Sequence, residues 1–400
     1  MAPAPPRRLR IPLSYFLLTL LAIEFLDELV FGAGQAAWPL IRNDLGLSYL
    51  QIGSLLSLPA IFANLVEPAL GILGDIWKRR VLVLAGGVVF ALSLFLTASS
   101  WGYIPLLISF MLFFPASGAF VSLSQAALMD AEPVRREQNM ARWTFAGSLG
   151  VVLGPLGLGL AILLGSGWRS VYVFLALLAV ILLAIVWRLP LSDPNKGNAT
   201  GNVLSDFFAG ARNALASLKR AEVLRWLVLL EFSDMMLDIL LGFLALYFVD
   251  VAHVTPAQAS LAVGVWTGVG LLGDLLLIPV LERVSGLAYL RLSAALELVL
   301  YATFLILPGW PIKLLALALL GFFNSGWYAI LQARLYAAMP GQSGTALAVK
   351  NVSGLLGGLI PLGLGWLAQR YNLQVSMWLL LLGPAALLLG LPRHRSDPSN

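Results

Sequence analysis

The chain has 400 residues, 60% of them hydrophobic and only 11% charged, where a soluble protein carries about 25% charged residues; the polar surface is too small to cover a water-facing globule. The net charge of +5 lies in short segments between apolar runs, a placement that suits a membrane surface and argues against nucleic acid. With no cysteine and only two histidines, His253 and His394, outside the apolar runs, disulfides, thiolate metal sites and histidine proton relays are excluded.

Apolar runs between loop signals give twelve spans, near 11–31, 50–73, 81–98, 104–128, 144–164, 170–188, 223–248, 258–281, 287–307, 311–332, 347–368 and 373–391. Several reach the ~20 residues needed to cross a bilayer. The first is too long for a signal-peptide core and lacks a small-residue cleavage site, so it reads as a retained span. The longest connection, 189–222, holds Asp193-Pro194-Asn195-Lys196-Gly197-Asn198 and a stretch from Leu204 to Leu218 with the look of a surface helix. The expected organisation is an N-terminal six-helix bundle (1–188), this linker, and a C-terminal six-helix bundle with a short tail (223–400).

The first span carries Glu24, Asp27 and Glu28, spaced i, i+3, i+4 on one helical face. Glu24 lies about 20 Å into the span at 1.5 Å per residue, near mid-membrane. The seventh carries Glu231, Asp234 and Asp238, again on one face. A shift of 207 carries Glu24 to Glu231 and Asp27 to Asp234, and also Glu67 to Asp274, Asp75 to Glu282, Gln51 to Gln258, Gln125 to Gln332, Gly147 to Gly354 and Gly150 to Gly357. Such a constant offset signals a duplicated unit. A charge at a helix centre in lipid costs at least about 2.5 kcal/mol, so these acids mark a pathway or a site.

Of the 25 lysines and arginines, only Arg42, Arg169, Lys313 and Arg370 fall in segments on one side. The other side is therefore cytoplasmic, with both termini and the linker inside. Tyr15, Trp77, Trp101, Trp168 and Trp310 near span ends fit interfacial anchoring. An even number of spans per half gives both repeats one orientation.

After the second span comes Gly71-Ile72-Leu73-Gly74-Asp75-Ile76-Trp77-Lys78-Arg79-Arg80. It resembles the signature loop of the major facilitator superfamily at Gly71, Leu73, Asp75, Arg79 and Arg80, and departs at Ile76 and Lys78. The second copy keeps only Glu282 and Arg283. The fifth span, with Gly147, Gly150, Gly154-Pro155, Gly157 and Gly159, is similar to that family's antiporter motif. Its glycines permit close helix packing and Pro155 frees a carbonyl.

The resemblance covers nearly the whole chain. It implies an all-α polytopic membrane protein, twelve transmembrane helices in two pseudo-symmetric bundles, acting as a secondary transporter by alternating access. It implies further that the first and seventh spans line a central cavity, that Gln125 and Gln332 line it too, and that the second span packs near the eleventh and the fifth near the eighth. From this packing, inner-gate pairs Glu67–Lys350 and Asp274–Arg142 are expected, beside Asp75 and Arg79 of the signature loop. The fourth span lacks the membrane arginine common in proton-coupled members, so the acids of the first and seventh spans would replace it.

Six carboxylates around one water-filled volume cannot all stay ionised without compensation. Protons and a cation would compete for them, which is proton antiport expressed as linked titration. An organic cation would use acids and aromatic faces, with Trp38, Tyr247, Trp266, Trp327 and Tyr328 as candidates. A hard divalent metal cation held by Asp27 and Asp234 is the rival cargo. A non-transporting receptor or scaffold has no reason to keep paired acids in lipid, and no HExxH or GxSxG set supports an enzyme. Glu297 has Phe90 at its repeat position and reads as a helix-interface residue. The expectation is therefore proton-coupled efflux of a small cation by a monomer without a cofactor, in a bacterial inner membrane.

Overall fold

The computed structural model describes residues 13–76, 78–131, 135–189, 191, 218–339, 349–350 and 353–392. Among them there is helix and no strand. In chain order the helices are α1 (Leu13–Leu45), α2 (Tyr49–Ile76), α3 (Arg79–Ser99), α4 (Tyr103–Ala131), α5 (Arg136–Leu163) and α6 (Trp168–Val186). The second half holds α7 (Ala221–Asp234, Met235–Ile239, Leu240–Asp250), α8 (Pro256–Leu281), α9 (Gly286–Ile306), α10 (Trp310–Ala337), α11 (349–350, 353–357 and Ile360–Arg370) and α12 (Leu373–Gly390). Nine of these are long and apolar enough to cross a membrane. α1 is not one of them, because its three acids, with Arg42 and Asp44, leave every stretch of spanning length charged. The protein is an integral membrane protein of twelve helices in two six-helix bundles. The surface helix expected over 204–218 lies almost wholly outside the described residues.

The duplication is visible in the turns. Ser48 Oγ accepts from Gln51 N and Gln51 Oε1 from Ser48 N, capping α2; Thr255 and Gln258 make the same reciprocal pair on α8. Both pairs sit at the 207 offset. So do Gly46, φ +62°, and His253, φ +55°, each turning the chain after the helix before.

α1 is longer than its expected span. Gly32, Gly34 and Pro39 look like a break, yet the helix runs on to Leu45. The glycines serve packing: a Cβ on Gly32 would lie 2.5 Å from Val151 O of α5, and one on Gly34 would lie 3.0 Å from Tyr172 Oη of α6. Gly150 and Gly154 complete the seam, with Phe25 O and Ala33 N each 2.5 Å from where a Cβ would stand, and Pro155 Cδ faces Gly32. In lipid no hydrophobic force drives helices together, so close backbone approach and dispersion must do it. Apolar side chains on α3, α6, α9 and α12, such as Leu92, Phe174, Val299 and Leu389, point outward, as surfaces for acyl chains.

The halves meet through α1, α2 and α5 on one side and α7, α8 and α11 on the other. Their contacts cluster towards the end of the bundle that holds the 46–48 turn. There Arg42 Nη1 lies 3.0 Å from Asp250 Oδ2, Tyr49 Oη donates to the same oxygen at 2.8 Å, and Tyr49 N donates to Gln369 Oε1. Next along α2 comes Gly53, whose Cβ would strike Pro361 O and the Gly365 Cα. Then Leu362 N donates to Ser57 Oγ at 2.9 Å, Ile61 faces Gly358 and Asn64 faces Gly354. Between α5 and α8 the contacts run from Gly159–Ser260 through Leu156–Gly264 to Val152–Gly268. Beyond these, towards the end where the linker leaves, no hydrogen bond or ion pair joins the halves among the described residues. Among the described residues, the polar contacts between the halves gather at the 46–48 end.

Candidate functional site

Three helices bend or break beside acids. α4 contains a π turn at Gly118–Ser122, α7 one at Met235–Ile239, and α10 opens at 324–326 with Gly326 at φ +72°. The breaks in α4 and α10 share the 207 offset. Such interruptions free backbone groups and are tolerated at membrane depth where neighbours or a cavity satisfy them. At α10, Gly326 N donates to Asp274 Oδ1 at 2.9 Å. At α4, Gly118 leaves room for Glu67, whose Cγ would lie 2.9 Å from a Cβ there.

The acids of α1 fan out along their helix. Glu24 and Glu28 lie between α1 and α5, over Gly147 and Gly150. Glu24 also takes a hydrogen bond from the Trp143 side chain. Asp27 turns to α4, with Ser117 as hydrogen-bond neighbour and Glu67 within electrostatic reach, and its Oδ1 is buried without a partner. On α7, Glu231 Oε1 accepts from Ser353 Oγ at 2.7 Å and occupies the place a Gly357 side chain would take. Asp234 lies within reach of Glu231, Asp238 and Lys350. Asp238 is exposed and lies in the field of Lys350. Across the seam, Glu28 of one half feels Asp238 of the other.

The remaining expected residues are placed differently. Lys350 Nζ donates to Tyr328 Oη and lies 4.6 Å from that ring's centre, with Glu231, Asp234 and Asp238 in its field. Arg142 is exposed and donates to Asn139 Oδ1 within its own helix. The expected pairs Glu67–Lys350 and Asp274–Arg142 are thus not made in this conformation. Arg79, 3% exposed, binds Asp130 at 2.7 Å between α3 and α4; the Asp75 side chain lies outside the described part. Gln125 donates to Met140 Sδ at 3.7 Å, tying α4 to α5, and Gln332 is half-buried.

Of the candidate aromatic faces, Trp38, Tyr247, Trp266 and Trp327 are buried in the bundles. Trp38 packs edge-on to Phe110, Tyr247 accepts from Lys313, and Trp327 donates to Ser293. Only Tyr328, 40% exposed, faces open space. Trp143, which sequence reasoning passed over, is the aromatic residue at the α1 acids. Its signal was available, since adding 207 gives Lys350, the residue at the α7 acids. Lys313, expected in a loop, is buried and also donates to Phe304 O. Among the described residues no three acids or histidines gather closely enough to hold a metal ion.

A sequence profile described as Major Facilitator Superfamily matches residues 20–361. No curated protein matches the sequence. Solved structures with the same fold include a single-substitution variant of the nucleoside transporter NupG, 16% identical over 94% of this chain and 98% of that one, TM-score 0.79. A bacterial homologue of the human lysosomal transporter Spinster, inward-facing and occupied, is 15% identical over 94% and 96%, TM-score 0.75. A D-xylose–proton symporter is 15% identical over 94% and 96%, TM-score 0.72.

Proposed function

We propose that this chain, which belongs to the major facilitator superfamily and is a membrane transporter, carries a small organic cation through the cleft between its halves in exchange for protons. The observation that carries the reading is the cluster of α1 acids on which no basic side chain acts among the described residues, with Asp238 of the other half in the field of Glu28. An uncompensated carboxylate at membrane depth is costly, and a cation or a proton removes that cost. The two ligands therefore exclude each other, so cation affinity falls as pH falls. The absence of a three-acid cage among the described residues favours a diffuse organic cation over a metal ion, which needs several oxygens at about 2.3 Å.

The positive-inside distribution supports placing the linker end and both termini on the cytoplasmic side of the membrane. The 46–48 end is then the sealed outer face. A mouth open inward collects cytoplasmic cargo, and the glycine–proline stretch of α5 resembles an antiporter's, so the direction is export. Closing the mouth brings α5 to α8, and Arg142 would then meet Asp274. A charge swap at those two positions should restore transport lost in either single variant.

The test of cargo is reconstitution in liposomes enclosing a pH-sensitive dye. Organic cations and divalent metals are added in turn. Expected is a proton flux driven by organic cations and lost in Asp27→Asn and Glu28→Gln. Uptake of neutral sugars or nucleosides that ignores both substitutions overturns the proposal.

A further inference from the structure

The two acid clusters share Glu24/Glu231 and Asp27/Asp234 at the repeat offset but differ in charge. On α7, Glu231, Asp234 and Asp238 share the field of Lys350, whose ammonium is fixed by the Tyr328 hydroxyl and lies over its ring. On α1, among the described residues, no lysine or arginine is among the groups acting on Glu24, Asp27 or Glu28. The residue at the repeat position of Lys350 is Trp143, 3% exposed and bonded to Glu24. One position of the repeat thus supplies an ammonium to one cluster and an indole to the other. Asp27 Oδ1, buried and unpartnered, shows which cluster is incomplete.

We propose that Lys350 is a tethered cation that fills the α7 cluster and so confines the transported cation to the α1 cluster, between Asp27, Glu28 and the edge of Trp143. The inference rests on the cationic cargo proposed above and adds where that cargo sits and how many are held. An ammonium held on an aromatic face, with its field on three carboxylates, resembles the environment an organic cation needs. The α7 cluster is thereby occupied before any ligand arrives. The cleft then has room in its electrostatics for one monovalent cation instead of two.

The experiment is equilibrium dialysis of tetraphenylphosphonium against the purified full-length protein at mildly alkaline pH. The native chain is expected to bind one equivalent and Lys350→Arg likewise one. Lys350→Gln is expected to bind two, the second removed again by Glu231→Gln in the same chain. In the native background, Asp27→Asn should weaken binding by about tenfold or more, while Asp234→Asn leaves it within about twofold. One equivalent in Lys350→Gln overturns the proposal, as does equal weakening by Asp27→Asn and Asp234→Asn, a pair that stays informative should Lys350→Gln fail to fold. No binding to the native chain instead overturns the cationic cargo itself.

Discussion

The N-terminal and C-terminal halves repeat one plan with different chemistry at matching positions. Around the N-terminal acids the packing is backbone on backbone, with Gly150 and Gly154 pressed to the main chain of α1. Around the C-terminal acids, Gly357 leaves space that a side chain, Glu231, has filled. Where one half has Trp143, the other has Lys350; where one has the buried Phe90, the other has the buried Glu297. Duplication preserved the scaffold, because helix contacts demand it. The polar positions have diverged, because the two walls of a single cleft need not bind the same thing.

The largest break in this comparison comes at the glycines. Gly154→Leu should abolish folded protein in fluorescence-detected gel filtration, since a Cβ would lie 2.5 Å from Ala33 N. Gly357→Ala meets only a movable carboxylate, so the protein should fold, with Glu231 displaced and flux reduced. Next is the seal that takes one residue from each half. Arg42→Ala or Asp250→Ala removes a partly buried charged pair at 3.0 Å, worth about 1–2 kcal/mol. Paired spin labels across the 46–48 end should report roughly tenfold more of the outward-open state. The chain has no native cysteine to interfere with labelling.

Smaller effects sharpen the contrast further. Glu297 is fully buried with both carboxylate oxygens unpartnered. Glu297→Gln should leave transport intact and raise Tm, by about 1 kcal/mol of stability. The same change at Glu24 should cost transport. Smallest of all, His253→Gly should raise Tm slightly. It relieves a left-handed residue worth at most about 1–2 kcal/mol, with part of the gain lost to the unfolded-state freedom of glycine. Gly46→Ala, at the matching turn, should lower Tm.

Much of this plan was legible in the chain. Glu24/Glu231, Asp27/Asp234, Gly147/Gly354 and the two glutamine caps all obey a single offset, and hydropathy delimits the helices. What escaped were features set by neighbours. The expected first span stops at 31 while the helix runs to Leu45, because glycine and proline weaken an isolated helix and the compensating wall of α5 and α6 is remote in sequence. Four aromatic residues taken as cavity faces turn inward to their own bundles, since helical periodicity alone does not separate a cleft wall from a core wall. Lys350 was assigned to α2 because family-like packing places α11 there. The sequence does not record which end of the molecule is closed, and in this conformation the lysine donates to Tyr328 of its own half.

The seam between α2 and α11 has a mechanical consequence. Its tightest point, Gly53 against Gly365, lies close to the sealed end. From there α2 extends about 35 Å towards the linker end but only about 6 Å the other way. A fixed fulcrum with such unequal arms would swing the mouth shut by ~6 Å for a ~10° tilt while barely parting the opposite lips. The hinge must therefore travel. Ser57 against Leu362, Ile61 against Gly358 and Asn64 against Gly354 provide the next footholds, spaced one helical turn apart. The two halves would roll along one another like meshed gears, passing the load from one small residue to the next.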